Sequence, residues 1–495
     1  MTRSSRPSIL FATAEVTPVA RVGGLAEAAA GLVRALRQLD VDVHLMVPDY
    51  GGVELAREER FPLATPDWTG PVTIRRGVHP VVGDIDLVST PNMARPHPYL
   101  DEHGDGWPDN DHRFISFSAA VAAMAAETEP DVVHLNDWHT STAASWLHGN
   151  VPTVLTIHTL GYQGTCSNHW LQHLGPQAFR FAWWGATNPL AGAIQLVDRV
   201  ITVSPTYARE MVTPEGGMGL HERLSGLGDR LIGILNGIDT SIWNPVTDPH
   251  IAGNFGADDP DGDGRAACRA ALFQEAGWID DGQTLIAIVS RLVDQKGIDF
   301  ALSCARFLDT MPARMMVLGS GAIGLANGLR YWESHSPDRV WFMDGYDEPL
   351  AHRLFAGSDL FFMPSRFEPC GLAQMQAMAY GTIPVVTKVG GLADTVIDAD
   401  RNRSDGTGFV SESVDDAGIL DALHRGHRAI RVSRRRNAIA RRGMKADWSW
   451  DAPAREHIDL YREVAGATGR PGSWDRPTEP QLRSDGAIDE VASAD

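Results

Sequence analysis

The stretch from Pro364 to Val396 constrains the fold more than any other part of the chain. An apolar strand over Leu360–Met363 runs into it, and a loop, a helix over Leu372–Tyr380 and a second apolar strand over Ile383–Val386 follow. Gly381 stands after the helix, at the position where glycine commonly ends one. This order predicts parallel strands joined by a helical crossover, as in an open α/β sheet.

Both loops of this stretch leave the carboxyl ends of predicted parallel strands and lead into helix N-termini. Open α/β sheets bind ligands at that edge, and the free N–H groups of a helix N-terminus favour anions. The first loop carries Glu368, and the second carries Gly390 and Gly391. These residues suggest a site that holds a diphosphate and orients a polar substrate beside it. An ordinary crossover whose glycines only make turns fits the same spacing, so spacing alone leaves both open.

Length, charge and cysteine usage narrow the class of protein. A chain of 495 residues is long enough for two or three domains. Its net charge of −20 argues against nucleic acid or an anionic membrane as a partner, because either demands a basic face. Scattered cysteines without a CxxC pair predict a reduced, cytoplasmic protein. We find neither a signal-peptide pattern nor an apolar span of about 18 residues.

In the N-terminal half, glycines and polar residues stand where predicted strands end. The strand over Ser8–Ala14 leads to Gly23-Gly24-Leu25, which starts a helix. This geometry suits the approach of a phosphate or a sugar, and equally a tight turn. Later strands lead to the cluster 136–139, to His158 and to Asn236. A lone histidine is more often a satisfied core residue, but His158 stands on the presumed ligand edge.

The sequence predicts no metal centre. His134, Asp137 and His139 invite a metal hypothesis, but two of the three alternate across a strand-to-loop junction. Residues 259–264 resemble the first half of an EF-hand loop. Its twelfth position is Ala270 instead of a bidentate glutamate, so a solvated acidic linker between domains is expected there.

In the C-terminal half, Arg291 and Lys296 follow a predicted strand over Leu285–Val289. Two cations in such a loop can neutralise a leaving diphosphate without a metal, although they could also be surface charges. The next strand runs into a formal G-x-G-x-x-G over Gly319–Gly324. Such turns arise readily in Rossmann-like folds, so the motif does not predict a bound dinucleotide.

The segments SRFEPCGL, YGTIPVV and GGLADTV closely resemble the signature of the bacterial glycogen synthase and plant starch synthase family, glycosyltransferase family 5. Further matches extend the resemblance from about Ile9 to about Val464. The resemblance implies an α/β fold with two Rossmann-like domains, the GT-B fold, facing each other across a deep cleft. It implies an acceptor-side domain over 1–248 and a nucleotide-sugar domain over 249–447. A closing helix over 448–465 would return to the first domain, and 466–495 is expected to be a disordered tail.

The resemblance also implies roles for individual residues. Expected catalytic residues are Glu368, His158, Arg291 and Lys296. Expected donor-binding residues are Arg21, Gly23, Gly24, Asn236, Tyr346, Cys370, Gly371, Leu372, Val389, Gly390 and Gly391. Expected acceptor-binding residues are Glu27, Tyr99, Asp137 and Trp138. Tyr346 would stack on the nucleobase, and stacking does not reveal which base is bound.

Three positions depart from the family pattern. Arg21 replaces the family lysine, and a planar fork is not interchangeable with a point ammonium at a tight site. Glu27 replaces an aspartate near the sugar pocket, so its carboxylate reaches further into the site. Gln376 stands where the family usually has an aromatic residue. These changes bear on substrate identity.

The function implied is that of a retaining, metal-independent glycosyltransferase without a cofactor. It would move a glucosyl unit from a nucleotide diphosphate sugar, ADP-glucose by resemblance, to the 4-hydroxyl of an α-1,4-glucan or malto-oligosaccharide. The alternative is a specialised relative that joins a nucleotide-activated cyclitol or aminosugar, for example GDP-linked, to a maltose-like acceptor. A non-catalytic glucan-binding protein would be expected to lose Glu368, Arg291 or Lys296, and all three are present. The oligomeric state stays open.

Overall fold

The computed structural model describes residues 6–304, 308 and 311–467, and they contain two large sheets. The first has nine strands in the order β12-β11-β7-β6-β1-β2-β5-β4-β3. The chain order reverses between β1 and β6, so a crevice opens at the carboxyl ends of these two strands. The strands are β1 (Ser8–Ala12), β2 (Asp42–Pro48), β3 (Ala56–Leu63), β4 (Val72–His79), β5 (Gly83–Ser89), β6 (Val132–Asn136), β7 (Thr153–Ile157), β11 (Arg199–Thr202) and β12 (Leu231–Gly233).

Most strands of the first sheet are parallel, and only β4 runs against its neighbours β3 and β5. Its central strands are continuous apolar runs because helices cover both faces. Alternate residues face opposite layers: Ile9 and Phe11 belong to one core cluster, and Leu10 and Ala12 to the other. Core packing on both faces of the sheet therefore supports the loops at its carboxyl edge.

The helices of this half are α1 (Gly24–Gln38), α2 (Asn110–Thr128), α3 (Trp138–Ser141), α4 (Ala144–Leu147), α5 (Pro189–Leu196), α6 (Pro205–Met211) and α7 (His221–Ser225). A small antiparallel sheet stands apart from the large one, in the order β8-β10-β9. It consists of β8 (Cys166–Ser167), β9 (Ala182–Trp183) and β10 (Ala186–Thr187).

The second large sheet has six parallel strands in the order β15-β14-β13-β16-β17-β18. The strands are β13 (Thr284–Val289), β14 (Ala313–Gly319), β15 (Val340–Asp344), β16 (Leu360–Met363), β17 (Ile383–Val386) and β18 (Phe409–Val410). Here the order reverses between β13 and β16, which puts the loops after these two strands side by side. The loop with Arg291 and Lys296 thereby meets the loop with Glu368.

Helices again cover both faces of this sheet. They are α8 (Asp263–Glu275), α9 (Ile298–Ser303), α10 (Ile323–His335), α11 (Glu348–Gly357), α12 (Ala373–Ala379), α13 (Gly390–Thr395), α14 (Asp416–Ile430) and α15 (Ser433–Lys445). Phe361 and Met363 face one core cluster, while Leu360 and Phe362 face the other. The two sheets thus form two Rossmann-like units, which is the fold class that the sequence predicts.

The last described helix, α16 (Asp451–Ala467), packs against the first sheet. A Cβ added at Gly31 of α1 would lie 2.0 Å from Nε1 of Trp450, so the glycine lets the indole lie flat on α1. His134 of β6 and the hydroxyl of Tyr461 are 2.6 Å apart, which joins the helix to the sheet. The end of the chain therefore covers a face of the N-terminal half.

One expectation about secondary structure needs correction. The stretch predicted as an acidic linker ends in helix α8, which begins at Asp263 and packs against α11. Further along the chain, helices α14 and α15 are separated at Arg431 and Val432. The expected disordered tail lies outside the described residues, apart from its first two, which belong to α16. Among the residues described, no helix is long and apolar enough to cross a membrane.

Candidate active site

The carboxyl edges of the two sheets face each other, because loops that follow strands in both sheets are in contact. Ser204, after β11, donates a 2.6 Å hydrogen bond to the carbonyl of Pro369, after β16. The amide of Thr206 donates to Asp394 of α13 at 2.7 Å. These bonds connect one end of a cleft whose walls are the two ligand-binding edges.

A buried ion pair lies in the crevice of the second sheet. Nζ of Lys296 is 2.5 Å from Oε2 of Glu368, and the hydroxyl of Ser365 donates to the same oxygen at 3.1 Å. Gly297 has a φ of 64°, and its Cβ would lie 2.0 Å from the carbonyl oxygen of Pro364. Glycine thus allows the loop after β13 to touch the loop after β16, and this contact places the cation on the carboxylate.

Arg291 lies in the same loop as Lys296, directly after β13, and is exposed. The carbonyl of Arg291 accepts from the hydroxyl of Ser290 at 3.0 Å, which fixes the backbone while the guanidinium extends toward solvent. The crevice therefore holds one buried cation on a carboxylate and one exposed cation beside it. Such a pair can attract and hold a diphosphate.

The predicted Gly-Gly phosphate turn is engaged by the protein itself. The amide of Gly390 donates to Oε1 of Glu210 at 2.9 Å, and the amide of Gly391 donates to the carbonyl of Glu368 at 3.0 Å. A Cβ at Gly390 would lie 1.9 Å from the carbonyl oxygen of Glu368. Both amides therefore have acceptors within the protein, and these glycines let β17's loop pack on the Glu368 loop, while their contact with the donor stays a prediction.

A second helix N-terminus is better placed for an anion. Gly371 has a φ of 72° and precedes Leu372, the N-cap of α12. The first amides of a helix have no acceptor within it. Beside them, the backbone N–H of Asn236 reaches the thiol of Cys370 from the opposite half, and burial raises the pKa of that thiol to about 12. Cys370 is thus a neutral packing residue, while Val389 is buried behind it.

The carboxylate of Glu15, which was not predicted as a site residue, holds the glycine-rich loop after β1 in place. Oε2 of buried Glu15 accepts from the amides of Val22 at 2.6 Å and Gly23 at 2.9 Å. Its other oxygen accepts from the hydroxyl of Tyr99 at 2.6 Å. The polar groups of Gly23 and Tyr99 are therefore already engaged. No atom lies within 4 Å of a Cβ built at Gly23 or Gly24, so the loop leaves room for a ligand to approach.

Arg21 crosses the cleft. Its guanidinium forms ion pairs with Glu27 on its own side and with Glu348 of α11 on the other. It also lies 5.0 Å from the ring centre of Tyr346, whose hydroxyl donates to Glu348 at 2.6 Å. Gln376 of α12 reaches Glu27 at 3.4 Å. The departures at positions 21, 27 and 376 thus form one cluster, and Glu348, which was not predicted as a site residue, belongs to it.

The acceptor-side residues surround the end of β6 and β7. The amide of His158 donates to Asp137 at 2.7 Å, and its Nε2 lies 3.0 Å from Oδ1 of Asn136. Burial raises the pKa of Asp137 to about 7 and lowers the pKa of His158 to about 3. The imidazole is therefore neutral at pH 7 and presents a fixed hydrogen-bonding edge. Trp138 packs on Gly164 and lines a cavity of about 460 Å³.

Comparison with known proteins shows the family to which this chain belongs. The model of the starch synthase catalytic domain matches residues 8–226, and that of glycosyl transferases group 1 matches residues 272–428. A glycogen synthase from Halorhodospira halophila is 40% identical over 479 residues, covering 93% of this chain and 100% of that protein. One from Alkalilimnicola ehrlichii is 40% identical over 93% of this chain and 99% of its own length. The chain belongs to the glycogen synthase and starch synthase family.

Solved structures agree with this assignment. The catalytic domain of starch synthase IV from Arabidopsis thaliana, bound to ADP and acarbose, has a TM-score of 0.83 and 31% identity. It covers 94% of this chain and 100% of its own. Sucrose-phosphate synthase from Thermosynechococcus elongatus has a TM-score of 0.61 at 20% identity, covers 93% of this chain and all of its own, and supports the fold alone. As a member of this family the chain is a hexosyltransferase with a GT-B fold, and its partners are a nucleotide sugar and a glucan.

The formal dinucleotide motif of this chain has a structural role. A Cβ at Gly319 would lie 2.0 Å from the carbonyl oxygen of Ser290, so the formal dinucleotide motif brings two strand ends together. Asp344, which would bind a ribose in a dinucleotide site, pairs with Arg330. Within the described ranges, no group of three His, Cys, Asp or Glu side chains could hold a metal.

Proposed function

We propose that this protein transfers a glucosyl unit from ADP-glucose to the 4-hydroxyl of an α-1,4-glucan, with retention and without a metal ion. The observation that carries the proposal is the Lys296–Glu368 pair at the switch point of the second sheet, beside Pro369, whose carbonyl accepts a hydrogen bond from Ser204 of the N-terminal half. It occurs in a chain that is 40% identical to glycogen synthases over nearly its whole length.

The diphosphate of the donor would bind to Lys296 and Arg291. Because Lys296 contacts Glu368 at 2.5 Å, it can hold the phosphate nearest the sugar while the carboxylate stays beside the sugar itself. Arg291, exposed on the same loop, would bind the outer phosphate. Two cations on this loop stabilise the charge that develops on the leaving oxygen as the bond between the anomeric carbon and the phosphate breaks. The first amides of α12, after Gly371 and Leu372, would add uncharged donors.

Glu368 would stabilise the positive charge that develops on the anomeric carbon. Both of its side-chain hydrogen bonds use Oε2, so the carboxylate is held in one orientation by Lys296 and Ser365. A carboxylate fixed in this way needs no reorganisation during the reaction. The leaving phosphate takes the proton of the acceptor hydroxyl, so no covalent intermediate on the enzyme is required.

The N-terminal half would present the acceptor. The neutral imidazole of His158 can accept a hydrogen bond from a sugar hydroxyl at Nδ1, since its pKa is lowered to about 3 and its Nε2 donates to Oδ1 of Asn136. Asp137 is held beside it by the His158 amide, and Trp138 forms an apolar wall of the adjoining cavity. A flat ring and a few directional polar groups are suited to an uncharged sugar.

Closure of the cleft would keep water from the donor. Arg21 already joins the two halves through Glu27 and Glu348. Exclusion of water strengthens the electrostatic interactions in the site and limits hydrolysis of the activated sugar. When the donor binds, its phosphates would compete with Glu348 for the guanidinium of Arg21.

ADP-glucose is favoured over the specialised donor. The relatives named as glycogen synthases and the starch synthase bound to ADP are similar to this chain along their whole lengths. The alternative depends on Arg21, Glu27 and Gln376, and these three are engaged with one another or with Glu348. Tyr346, which is exposed, can stack on the adenine face.

The test is a matrix of donors and acceptors. The purified protein is incubated with ADP-, UDP- and GDP-glucose, each against maltose, maltotriose and glycogen. We expect transfer from ADP-glucose to maltotriose and glycogen, with the same rate after treatment with EDTA. The new linkage should be α when analysed by NMR. If a protein that melts cooperatively transfers glucose from none of the three donors, the proposal is contradicted.

A further inference from the structure

An exposed aromatic surface lies outside the catalytic cleft, on the hairpin of β9 and β10. Trp184 is 87% exposed and Phe179, shortly before it, is 67% exposed. The rings of Trp183 and Trp184 are 4.7 Å apart and inclined by 34°, so they form one continuous surface. We define Trp183 and Trp184 as the hairpin platform. Exposed contiguous aromatic groups mark binding surfaces.

The backbone at Trp184 is unfavourable for tryptophan. The turn between β9 and β10 has a φ of 43° at Trp184 and 82° at Gly185. Hairpin turns with two positive φ values favour Asn-Gly, and a bulky residue at positive φ is an outlier. Trp184 therefore costs stability through its backbone, and its exposed indole contributes little burial to offset that cost. Residues kept in such conformations cluster at functional sites.

The platform is held rigidly and is continuous with the acceptor side of the cleft. The guanidinium of Arg223 lies 4.8 Å from the ring centre of Trp183 and donates to the carbonyls of Arg180 and Ala191. Strand β10 pairs with β8, and β8 follows directly on the loop 161–166, which lines the cavity beside Trp138. Two strand spacings, about 10 Å, separate β8 from β9.

We propose that the hairpin platform binds the distal part of an α-1,4-glucan whose non-reducing end lies in the cleft. Indole rings pack against the C–H faces of glucosyl units, and the platform offers two such rings in a fixed relation. This proposal rests on the proposed function for the class of acceptor. It predicts a preference for long acceptors over short ones, because only a long chain reaches from the cleft to the hairpin.

The variant Trp184→Gly distinguishes glucan binding by the hairpin platform from a role of Trp184 in folding. Glycine is favoured at positive φ, so the variant should melt at the same temperature as the wild type or higher. Affinity gel electrophoresis in glycogen, without donor, should show about ten-fold weaker binding, as expected from losing part of the burial of one large side chain. The KM for glycogen should rise by a similar factor, while kcat and the KM for maltotriose stay unchanged.

Tyr331→Ala is the matched control, because Tyr331 is 66% exposed on α10 in the other half. It should bind glycogen like the wild type. Wild-type binding and KM in Trp184→Gly would overturn the proposal. So would a change in oligomeric state, measured by light scattering, with glycogen binding unaltered, since that result would identify a contact between copies. If the wild type transfers to neither acceptor, the proposed function fails, while the gel still tests the platform.

Discussion

At the scale of single residues, charged groups of the site are paired before any substrate arrives. Lys296 and Glu368 are in contact, and Arg21 holds two carboxylates from opposite sides of the cleft. The sequence identified Glu368, Lys296 and Arg291, because charged residues after buried strands are a local pattern. It did not identify Glu15, Glu210 or Glu348, because their partners are backbone amides or side chains distant in the chain.

Lys296→Ala tests the central pair. It leaves the buried carboxylate of Glu368 without its counter-ion and the donor with one cation fewer. We expect kcat with ADP-glucose to fall by about a hundred- to a thousand-fold. Thermal stability should also fall, because an unpaired buried charge is costly. Steady-state kinetics and calorimetry measure the two effects.

The double variant Lys296→Ala, Glu368→Gln separates the two effects. It removes both charges, so stability should recover relative to Lys296→Ala while activity stays low. Recovery of activity together with stability would show that Lys296 serves only to neutralise Glu368, against our assignment of the diphosphate.

At the scale of elements, regular segments were well predicted and interruptions were not. The strands β16 and β17 have the predicted bounds, since each is a short apolar run between turn residues. The break between α14 and α15 has neither glycine nor proline, so local sequence gave no warning of it. The phosphate role of Gly390 stays a prediction, because a Gly-Gly turn also suits close backbone packing.

Gly31→Ala tests how the closing helix is seated. Helix propensity alone would make this change stabilising by about 1 kcal/mol. The new methyl group would collide with Trp450, which packs on α1, and overpacking of this kind costs about 1–3 kcal/mol. We therefore expect a lower melting temperature. Gly324→Ala in α10, where no atom lies within 4 Å of the new Cβ, is the control and should be neutral or stabilising.

At the scale of the whole molecule, the two sheets and their facing edges follow from the order of strands and helices, but the cross-cleft bonds do not. A further global property is the set of buried neutral histidines in the N-terminal half and its closing helix. Burial lowers the pKa values of His139 and His158 to about 3 and that of His457 to about 4, and it also lowers the pKa of His134 well below its usual range.

These histidines predict acid sensitivity. The unfolded chain takes up their protons near pH 6.5, while the folded chain does so only near pH 3–4. Their stabilising effect is therefore complete above pH 6.5 and is lost as the pH falls, by about 2 kcal/mol for each at pH 5. Asp137 acts in the opposite sense, since its raised pKa costs stability as the pH rises from 4 to 7. Melting temperatures should fall steeply between pH 6.5 and 5.

The variant His139→Phe isolates the contribution of one histidine to the pH dependence of stability. Nδ1 of His139 is buried and has no hydrogen-bond partner among the described residues, so the aromatic replacement loses little. The variant should lose less stability than the wild type between pH 6.5 and 5. Parallel pH profiles for the two proteins would contradict the assignment.

A crystal structure of the protein with ADP tests the account most directly. We predict phosphate oxygens within hydrogen-bonding distance of both Nζ of Lys296 and the guanidinium of Arg291, with the adenine on Tyr346 and Glu368 turned toward the space of the missing sugar. A structure in which ADP binds elsewhere, with Lys296 and Arg291 both remote from the phosphates, would contradict it.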